Sequence, residues 1–280
     1  MTGPAPARLL SLSAGTVLDA APEAALDAAA AAGFGGFGIR WDPARLPPSR
    51  LPALRQRIES SGLALLDLEV VRLRPDVPVT AHRAWAETAA ELGARFLLAV
   101  SHHESPDRTV EELCTLADWC SPSGVTVALE FMRFTAVPSF RSASELLRRA
   151  ARPGLTVLVD ALHLQRGGET AADLTAADAG PVGYVQVCDA PRAAPGAPGD
   201  LGALADEARH GRLFPGAGEL PLTDLLGVLP ADLPCCVEVQ SDAWSGVDVG
   251  ERARYAMAST RALLTAPADR ARPTPGNPAR

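Results

Sequence analysis

Residues 125–160, VTVALEFMRFTAVPSFRSASELLRRAARPGLTVLVD, contain two short apolar runs that each end in a carboxylate. Two later runs, GYVQV and CCVEV, have the same form and also carry one polar side chain each. Successive side chains of a strand alternate between its two faces, so each polar residue points away from the valine face of its run. Four such strands predict a closed parallel barrel that gathers their polar ends at one mouth. These polar ends are Glu130, Asp160, Gln186 and Glu238.

The rest of the chain alternates strand-like and helix-like segments at a spacing near 30 residues. The predicted strands are 8–14, 36–41, 63–71, 94–100, 125–131, 155–160, 182–188 and 235–239. The segments between them are rich in Ala and Leu and stop at glycines such as Gly33 and Gly93, which is typical of helices. Ser142 and Glu145 have the spacing of a capping box, and 169–178 predicts a weaker helix. Eight alternations favour an α/β (β/α)8 TIM barrel over a doubly wound open sheet.

The predicted domain is a single barrel over residues 8–265, followed by a disordered tail at 266–280. The segment between strands seven and eight is unusually long, since 52 positions separate Gln186 from Glu238, whereas 30 separate Glu130 from Asp160. Insertions of this length more often carry function than serve as spacers. We therefore expect the seventh loop to contribute to the site.

Charge and composition exclude several functional classes. The chain has 280 residues and a net charge of −7, which argues against nucleic-acid binding because affinity for phosphate backbones comes largely from Lys and Arg. The start MTGPAPARLL lacks a signal-peptide core, and no apolar run approaches the roughly 18 residues of a membrane helix. Five cysteines without a CxxC pair indicate neither a disulfide framework nor a thiolate zinc site. We expect a cytoplasmic protein without a membrane partner.

The four polar strand ends suggest a metal site. Three carboxylates and one carboxamide are hard oxygen ligands, which suit Mn2+ or Mg2+ and leave Co2+ and Zn2+ open. The alternative is that each residue is only a strand-end cap or an ion-pair partner. That alternative explains one such residue easily, but four at corresponding strand ends and equal parity less well.

Other polar residues are candidates for the same mouth. His163 follows Asp160 by three positions and is a candidate acid/base group, because imidazole titrates near neutral pH. Arginines of the seventh loop are candidates to hold a carboxylate, phosphate or enolate oxygen, although a solvated charge run would look the same. The predicted substrate-binding residues are Glu69, His102, His103, Arg209, His210 and Arg212.

Several motifs together resemble a known family. VALEF, VLVDALHL, YVQVCDA, PGAGELPL and VEVQ, in this order, are similar to the xylose isomerase-like barrels. These include sugar phosphate isomerases and epimerases, hydroxypyruvate isomerase, inosose dehydratase and 3-dehydroshikimate dehydratase. The resemblance implies that Glu130, Asp160, Gln186 and Glu238 bind one divalent metal ion. It also implies that Glu130 and Glu238 form an acid/base pair, and that the protein is a homodimer or homotetramer.

The resemblance implies an isomerase or epimerase that acts on a keto-sugar or polyol through a metal-stabilised enediolate. Many members have His where this chain has Gln186, a replacement also found in hydroxypyruvate isomerase-like and dehydroshikimate dehydratase-like branches. A metal-dependent dehydratase of a cyclic β-hydroxy ketone, such as 3-dehydroshikimate or an inosose, is therefore an alternative. A third is an inactive barrel that acts as a binding protein. The late Asp-x-His pair of the related DNA-repair endonucleases is not found in this sequence.

Overall fold

A computed structural model describes residues 8–176 and 179–265, so the tail predicted at 266–280 lies outside the described residues. Eight parallel strands pair in sequence order and close on themselves, which confirms the predicted (β/α)8 barrel. The strands are β1 Leu10–Leu12, β2 Gly36–Arg40, β3 Ala64–Leu73, β4 Phe96–Ser101, β5 Thr126–Glu130, β6 Leu155–Asp160, β7 Val182–Val187 and β8 Cys235–Val237.

Helices surround the barrel. They are α1 Pro22–Ala32, α2 Leu51–Ser61, α3 Arg83–Leu92, α4 Pro106–Cys120, α5 Phe140–Ala150, α6 Ala161–Arg166, α7 Leu201–His210, α8 Leu222–Val228 and α9 Val249–Thr265. The predicted stops Gly33 and Gly93 have φ values of 82° and 72°, a left-handed conformation that glycine adopts without steric cost. Within the described ranges, no helix has the length and apolar character needed to cross a bilayer.

Two local predictions are wrong. The capping box of α5 joins Ser139 to Ser142 rather than Ser142 to Glu145, so the helix begins earlier than expected, and Glu145 instead pairs with Arg148. The hydroxyl of Ser142 reaches back to Ser139 and can replace the longer carboxylate in this role. The weak helix predicted at 169–178 is a short 3-10 helix, Ala171–Thr175.

A small apolar cluster fills the barrel interior, separate from the larger core between strands and helices. Four of its members lie two positions before the polar strand ends, so that alternation places them one layer lower on the same face. These are Ala128, Leu158, Tyr184 and Cys236. The interior also holds one buried acid, Asp67 of β3, whose Oδ2 accepts a hydrogen bond from the Tyr184 hydroxyl at 2.8 Å. The layer formed by Glu130, Asp160, Gln186 and Glu238 therefore packs against the well-filled interior of the barrel.

Gly38 of β2 provides a test of this packing. A Cβ at this position would collide with Oδ1 of Asp67. The Asp67 side chain is buried and cannot move away easily, because its Oδ2 accepts a hydrogen bond from Tyr184. We expect Gly38→Ala to lower the free energy of unfolding by about 1–3 kcal/mol, the usual range for overpacking. Gly227 of α8 is the control, since its Cβ would meet open space and alanine there favours the helix by up to about 1 kcal/mol. Urea unfolding measures both variants, and equal effects would refute the tight interior.

Candidate functional site

Polar side chains form a ring at the carboxyl ends of the strands. The parallel register sets Asp160 of β6 beside Gln186 of β7, and Glu130 closes β5. Glu238 directly follows β8, and its backbone N–H donates to the Val187 carbonyl at 3.0 Å. All four polar strand ends are buried. The period-two alternation of the sequence therefore places them in one layer.

A cavity of about 200 Å3 opens above this ring. Seven residues predicted for catalysis or substrate binding line it: Glu69, His102, Glu130, His163, Arg209, Arg212 and Glu238. Asp160 and Gln186 are fully buried beside the cavity. Arg40 and Arg72 also line it. The sequence offers Arg72, near the end of strand three, as a candidate comparable to Glu69, whereas it does not single out Arg40.

His103 and His210 are not brought into the cavity. The His103 ring is buried against Glu112 of α4, with 2.9 Å between His103 Nε2 and Glu112 Oε2. The His210 side chain is half exposed, and its Nδ1 lies 3.0 Å from Asp242 Oδ1. His103 follows the cavity residue His102 by one position, so strand alternation turns its side chain toward the surrounding helices.

The ring contains a group of donor atoms suited to a divalent cation. Atoms of Glu130, Asp160 and His163 all lie within 4.8 Å of one another. Gln186 is fully buried, and among the described residues neither its Oε1 nor its Nε2 has a hydrogen-bond partner. An unsatisfied buried polar group is costly, so a ligand that engages this amide suits the site. Two carboxylates, an amide oxygen and an imidazole are a suitable donor set for Mn2+ or Zn2+.

Glu238 is held by other contacts. Its Oε2 lies 3.5 Å from Arg212 Nη2, and its Oε1 accepts a hydrogen bond from Gln240 Nε2 at 3.2 Å. Gly15 passes so close that a Cβ there would overlap the Glu238 carboxylate. The glycine thus lets the chain after β1 pack directly on this acid.

Arg212 compensates the charge of the ring. Its guanidinium is buried, with Nη1 donating to Asp160 Oδ2 at 2.6 Å and Nη2 lying 3.4 Å from His163 Nε2. Its Nε donates to the Ala208 carbonyl at 2.8 Å, which ties it to α7. The sequence predicted a substrate-binding role for Arg212. The structure adds an ion pair with one candidate metal ligand and close approach to a second.

The acids of the ring have different proton affinities. Burial, with the nearby charges of Glu238 and Asp160, raises the pKa of Glu130 well above its ordinary value. Burial also raises the pKa of Glu238. For Asp160 burial acts in the same direction, but the charge of Arg212 and the hydrogen bonds from Arg212 and His163 outweigh it and hold the pKa below its usual value. Burial lowers the pKa of His163 to about 4, so the imidazole is neutral at neutral pH.

A second buried acid positions Arg212. Asp189, just after β7, accepts hydrogen bonds from the backbone N–H groups of Ala190, Gly216 and Leu220, each at 2.9 Å. Its own backbone exchanges two hydrogen bonds with Leu213, at 2.7 and 2.8 Å. The seventh loop, which contains α7 and α8, is thereby fixed at the barrel end next to Arg212. Sequence reasoning missed this role, although Asp189 lies within the YVQVCDA motif.

Comparisons with known proteins agree with this architecture. The family described as "Xylose isomerase-like TIM barrel" matches residues 26–263. Inosose isomerase of Bacillus subtilis (strain 168) is 27% identical over 161 residues, which cover 54% of this chain and 55% of that protein. The chain thus matches about half the length of this curated relative.

Solved structures share the fold. The IOLI protein with a bound zinc atom has a TM-score of 0.77 at 20% identity, covering 91% of this chain and 97% of that one. A D-psicose 3-epimerase has a TM-score of 0.67 at 14% identity, covering 91% and 99%. A fusion protein of a xylose isomerase-like TIM barrel and a 4-hydroxyphenylpyruvate dioxygenase has a TM-score of 0.78 at 21% identity, covering 92% of this chain and 43% of that one.

Asp67 makes stability depend on pH. Burial, together with the charge of Glu69, raises its pKa to about 8, so the folded protein keeps this acid protonated while the unfolded chain ionises it above about pH 4. Stability from this group is complete below pH 4 and falls as pH rises toward 8. We expect Asp67→Asn, which cannot ionise, to gain at least about 1.4 kcal/mol relative to the unsubstituted protein between pH 5 and 8. Urea unfolding with chelator present measures the difference, and parallel pH curves would contradict it.

The Arg212–Asp160 pair predicts strong energetic coupling. Removing one partner of a buried ion pair leaves the other charge unpaired, so we expect Arg212→Met to lower the free energy of unfolding by about 3–5 kcal/mol. Arg212→Met combined with Asp160→Asn should destabilise the protein less than the sum of the two single changes. Arg83→Met, on the exposed face of α3, is the control and should have a small effect. Additive effects in urea unfolding would show that the pair is not coupled.

Proposed function

Because the chain belongs to the xylose isomerase-like TIM barrel family, we propose that it is a divalent-metal-dependent isomerase or epimerase of a keto-sugar or related polyol. The observation that carries this proposal is the group of donor atoms from Glu130, Asp160 and His163, within 4.8 Å of one another, at the edge of the mouth cavity. The names of relatives, inosose isomerase and D-psicose 3-epimerase, are consistent with this class of reaction.

We assign the metal to Glu130, Asp160, Gln186 and Glu238, with His163 within reach of the first two. The amide of Gln186 supports this assignment, since no group in the described part of the chain forms a hydrogen bond with it. A divalent cation supplies Lewis-acid stabilisation of negative charge that develops on a substrate carbonyl oxygen. Mn2+ or Mg2+ fits the oxygen donors, and Zn2+ or Co2+ becomes more suitable if the His163 nitrogen takes part.

Glu130 and Glu238 are the proposed acid/base pair. Both line the cavity, and burial raises the pKa of each, which brings proton transfer closer to neutral pH. One carboxylate removes the proton from the carbon next to the carbonyl, and the other returns a proton to the neighbouring carbon or the opposite face. Arg212 keeps Asp160 ionised, and neutral His163 offers a hydrogen bond without adding charge.

A dehydratase of a cyclic β-hydroxy ketone, such as 3-dehydroshikimate or an inosose, is the second candidate. Proton removal is the same, but the resulting enolate then expels a β-hydroxyl group. The raised pKa of Glu130 favours this candidate, because a protonated carboxylic acid in the cavity can protonate the leaving oxygen. Loss of water from an inosose would give an enone, and loss of water from 3-dehydroshikimate, which is already an enone, would give an aromatic catechol; both products change the ultraviolet absorption.

Hydrogen exchange tests the proposal. With Mn2+ or Mg2+, the protein should exchange substrate α-hydrogen for solvent deuterium on a panel of ketoses, inososes and dehydroshikimate, and chelator should abolish the exchange. Glu130→Gln and Glu238→Gln should each slow it by about 10²–10⁴-fold, the usual contribution of a general acid or base. Glu87→Gln, on the exposed face of α3, is the control.

Three readouts separate the candidates. Exchange without absorbance change supports the isomerase or epimerase, and new absorbance from an enone or an aromatic product supports the dehydratase. Metal content distinguishes both from an inactive barrel, since an inactive barrel should purify without a stoichiometric divalent ion. Absence of exchange and absorbance across the whole panel, with metal bound, would overturn the enzymatic proposal.

A further inference from the structure

The mouth cavity is lined by four arginines, and only two of them have carboxylate partners. Arg40 Nη2 lies 3.3 Å from Glu69 Oε1, and Arg212 Nη1 lies 2.6 Å from Asp160 Oδ2. Arg72 and Arg209 have no carboxylate within ion-pair distance among residues 8–176 and 179–265. Two exposed arginine side chains therefore border one cavity without a carboxylate at ion-pair distance among the described residues.

The fold directs both groups toward the same opening. Arg72 of β3 is in register with Val100 of β4, a member of the interior cluster, so its side chain lies on the mouth side of the strand. Arg209 lies in the last turn of α7, and its guanidinium is 5.8 Å from the centre of the Phe134 ring. Phe134 in turn packs edge-on against the His163 ring at 5.6 Å. The aromatic ring thus holds Arg209 beside the reactive end of the cavity.

These arginines are crowded. Burial, and then the charges of Arg40, Arg74 and Arg209, lower the pKa of Arg72, although the nearby charge of Glu130 acts in the opposite direction. Burial and the charges of Arg72 and Arg74 likewise lower the pKa of His102, which lines the same cavity. Like charges held close together repel one another, and water screens only part of this repulsion at the exposed side chains of Arg72 and Arg209, so a bound anion would stabilise them further.

The balance of charge indicates what compensates them. With all four acids ionised, as metal binding requires, the four arginines match them in charge, so a divalent cation leaves two positive charges uncompensated. The acids are Glu69, Glu130, Asp160 and Glu238. A neutral sugar cannot supply the missing negative charge, whereas a carboxylate or phosphate group can accept paired hydrogen bonds from a guanidinium.

We propose that the substrate is a polyol or keto compound bearing a carboxylate or phosphate, which Arg72 and Arg209 bind at the mouth while its reactive carbon faces Glu130. This inference rests on the proposed function, since it specifies the substrate class of the same site. Arg72 is thereby a specificity-determining residue. Arg209 binds the anionic group of the substrate rather than its reacting carbonyl oxygen.

Matched ligands test the inference by calorimetric titration in the presence of Mn2+. The probes are myo-inositol, myo-inositol 1-phosphate and quinate, a cyclohexane polyol that carries a carboxylate. At least one anionic probe should bind about tenfold or more tightly than myo-inositol. Arg72→Gln and Arg209→Gln should each weaken that binding about tenfold, in line with the loss of a charged hydrogen bond, and should leave myo-inositol binding unchanged.

Arg74→Gln is the matched control. Arg74 lies two positions after Arg72 and does not line the cavity. Its substitution removes the same positive charge, so ligand binding should change less than threefold. Tighter binding of quinate identifies a carboxylate, and tighter binding of the inositol phosphate identifies a phosphate.

Three results would overturn the inference: no binding of either anion, equal binding of myo-inositol, or a loss in Arg74→Gln as large as that in Arg72→Gln. The proposed function fails separately. If the protein catalyses metal-dependent exchange on a neutral ketose but binds the anionic probes no more tightly than myo-inositol, the proposed reaction class holds and only the proposed substrate class is refuted. Anion binding without any exchange would do the reverse.

Discussion

Electrostatic repulsion among buried carboxylates governs the structure of this barrel mouth. Glu130, Asp160 and Glu238 lie in one layer with little access to water, and each raises the energy of the others when ionised. A fold can retain such a group only by protonating some members, pairing others with cations, or binding a metal. Arg212 provides the second solution for Asp160, the raised pKa of Glu130 favours the first, and the donor set is suited to the third.

The unequal treatment of the acids gives the site its chemical character. Arg212 pairs with Asp160 and keeps it ionised, whereas Glu130 has no arginine partner within residues 8–176 and 179–265, lies 3.7 Å from the neutral His163 ring, and has a raised pKa. Two carboxyl groups a few ångströms apart therefore differ in proton affinity: Asp160 can bind a cation as a permanent carboxylate, and Glu130 can in addition exchange a proton. The neutral His163 between them carries no charge that would disturb this division.

The scaffold and the loops contribute separately. The alternation of side chains along the barrel strands places the acids at the mouth. The packed layer of Ala128, Leu158 and Tyr184 below them leaves no space for the acidic side chains deeper in the barrel. The seventh loop supplies Arg212 and Arg209, fixed in place by the backbone hydrogen bonds of Asp189. A family that keeps the acids and varies the loops can therefore conserve its reaction type while changing its substrate.

The sequence by itself determined the barrel and the ring. Alternation within short strands, glycine stops and a repeat near 30 residues are local properties, so Glu130, Asp160, Gln186 and Glu238 could be placed at one mouth before any contact was known. The tertiary structure decided which groups meet there. Arg212 reaches Asp160 across 52 positions, His163 joins the donor group, Arg72 faces the cavity, and His103 and His210 turn to other partners. These outcomes depend on loop paths and helix packing, which long-range contacts fix and local sequence patterns do not encode.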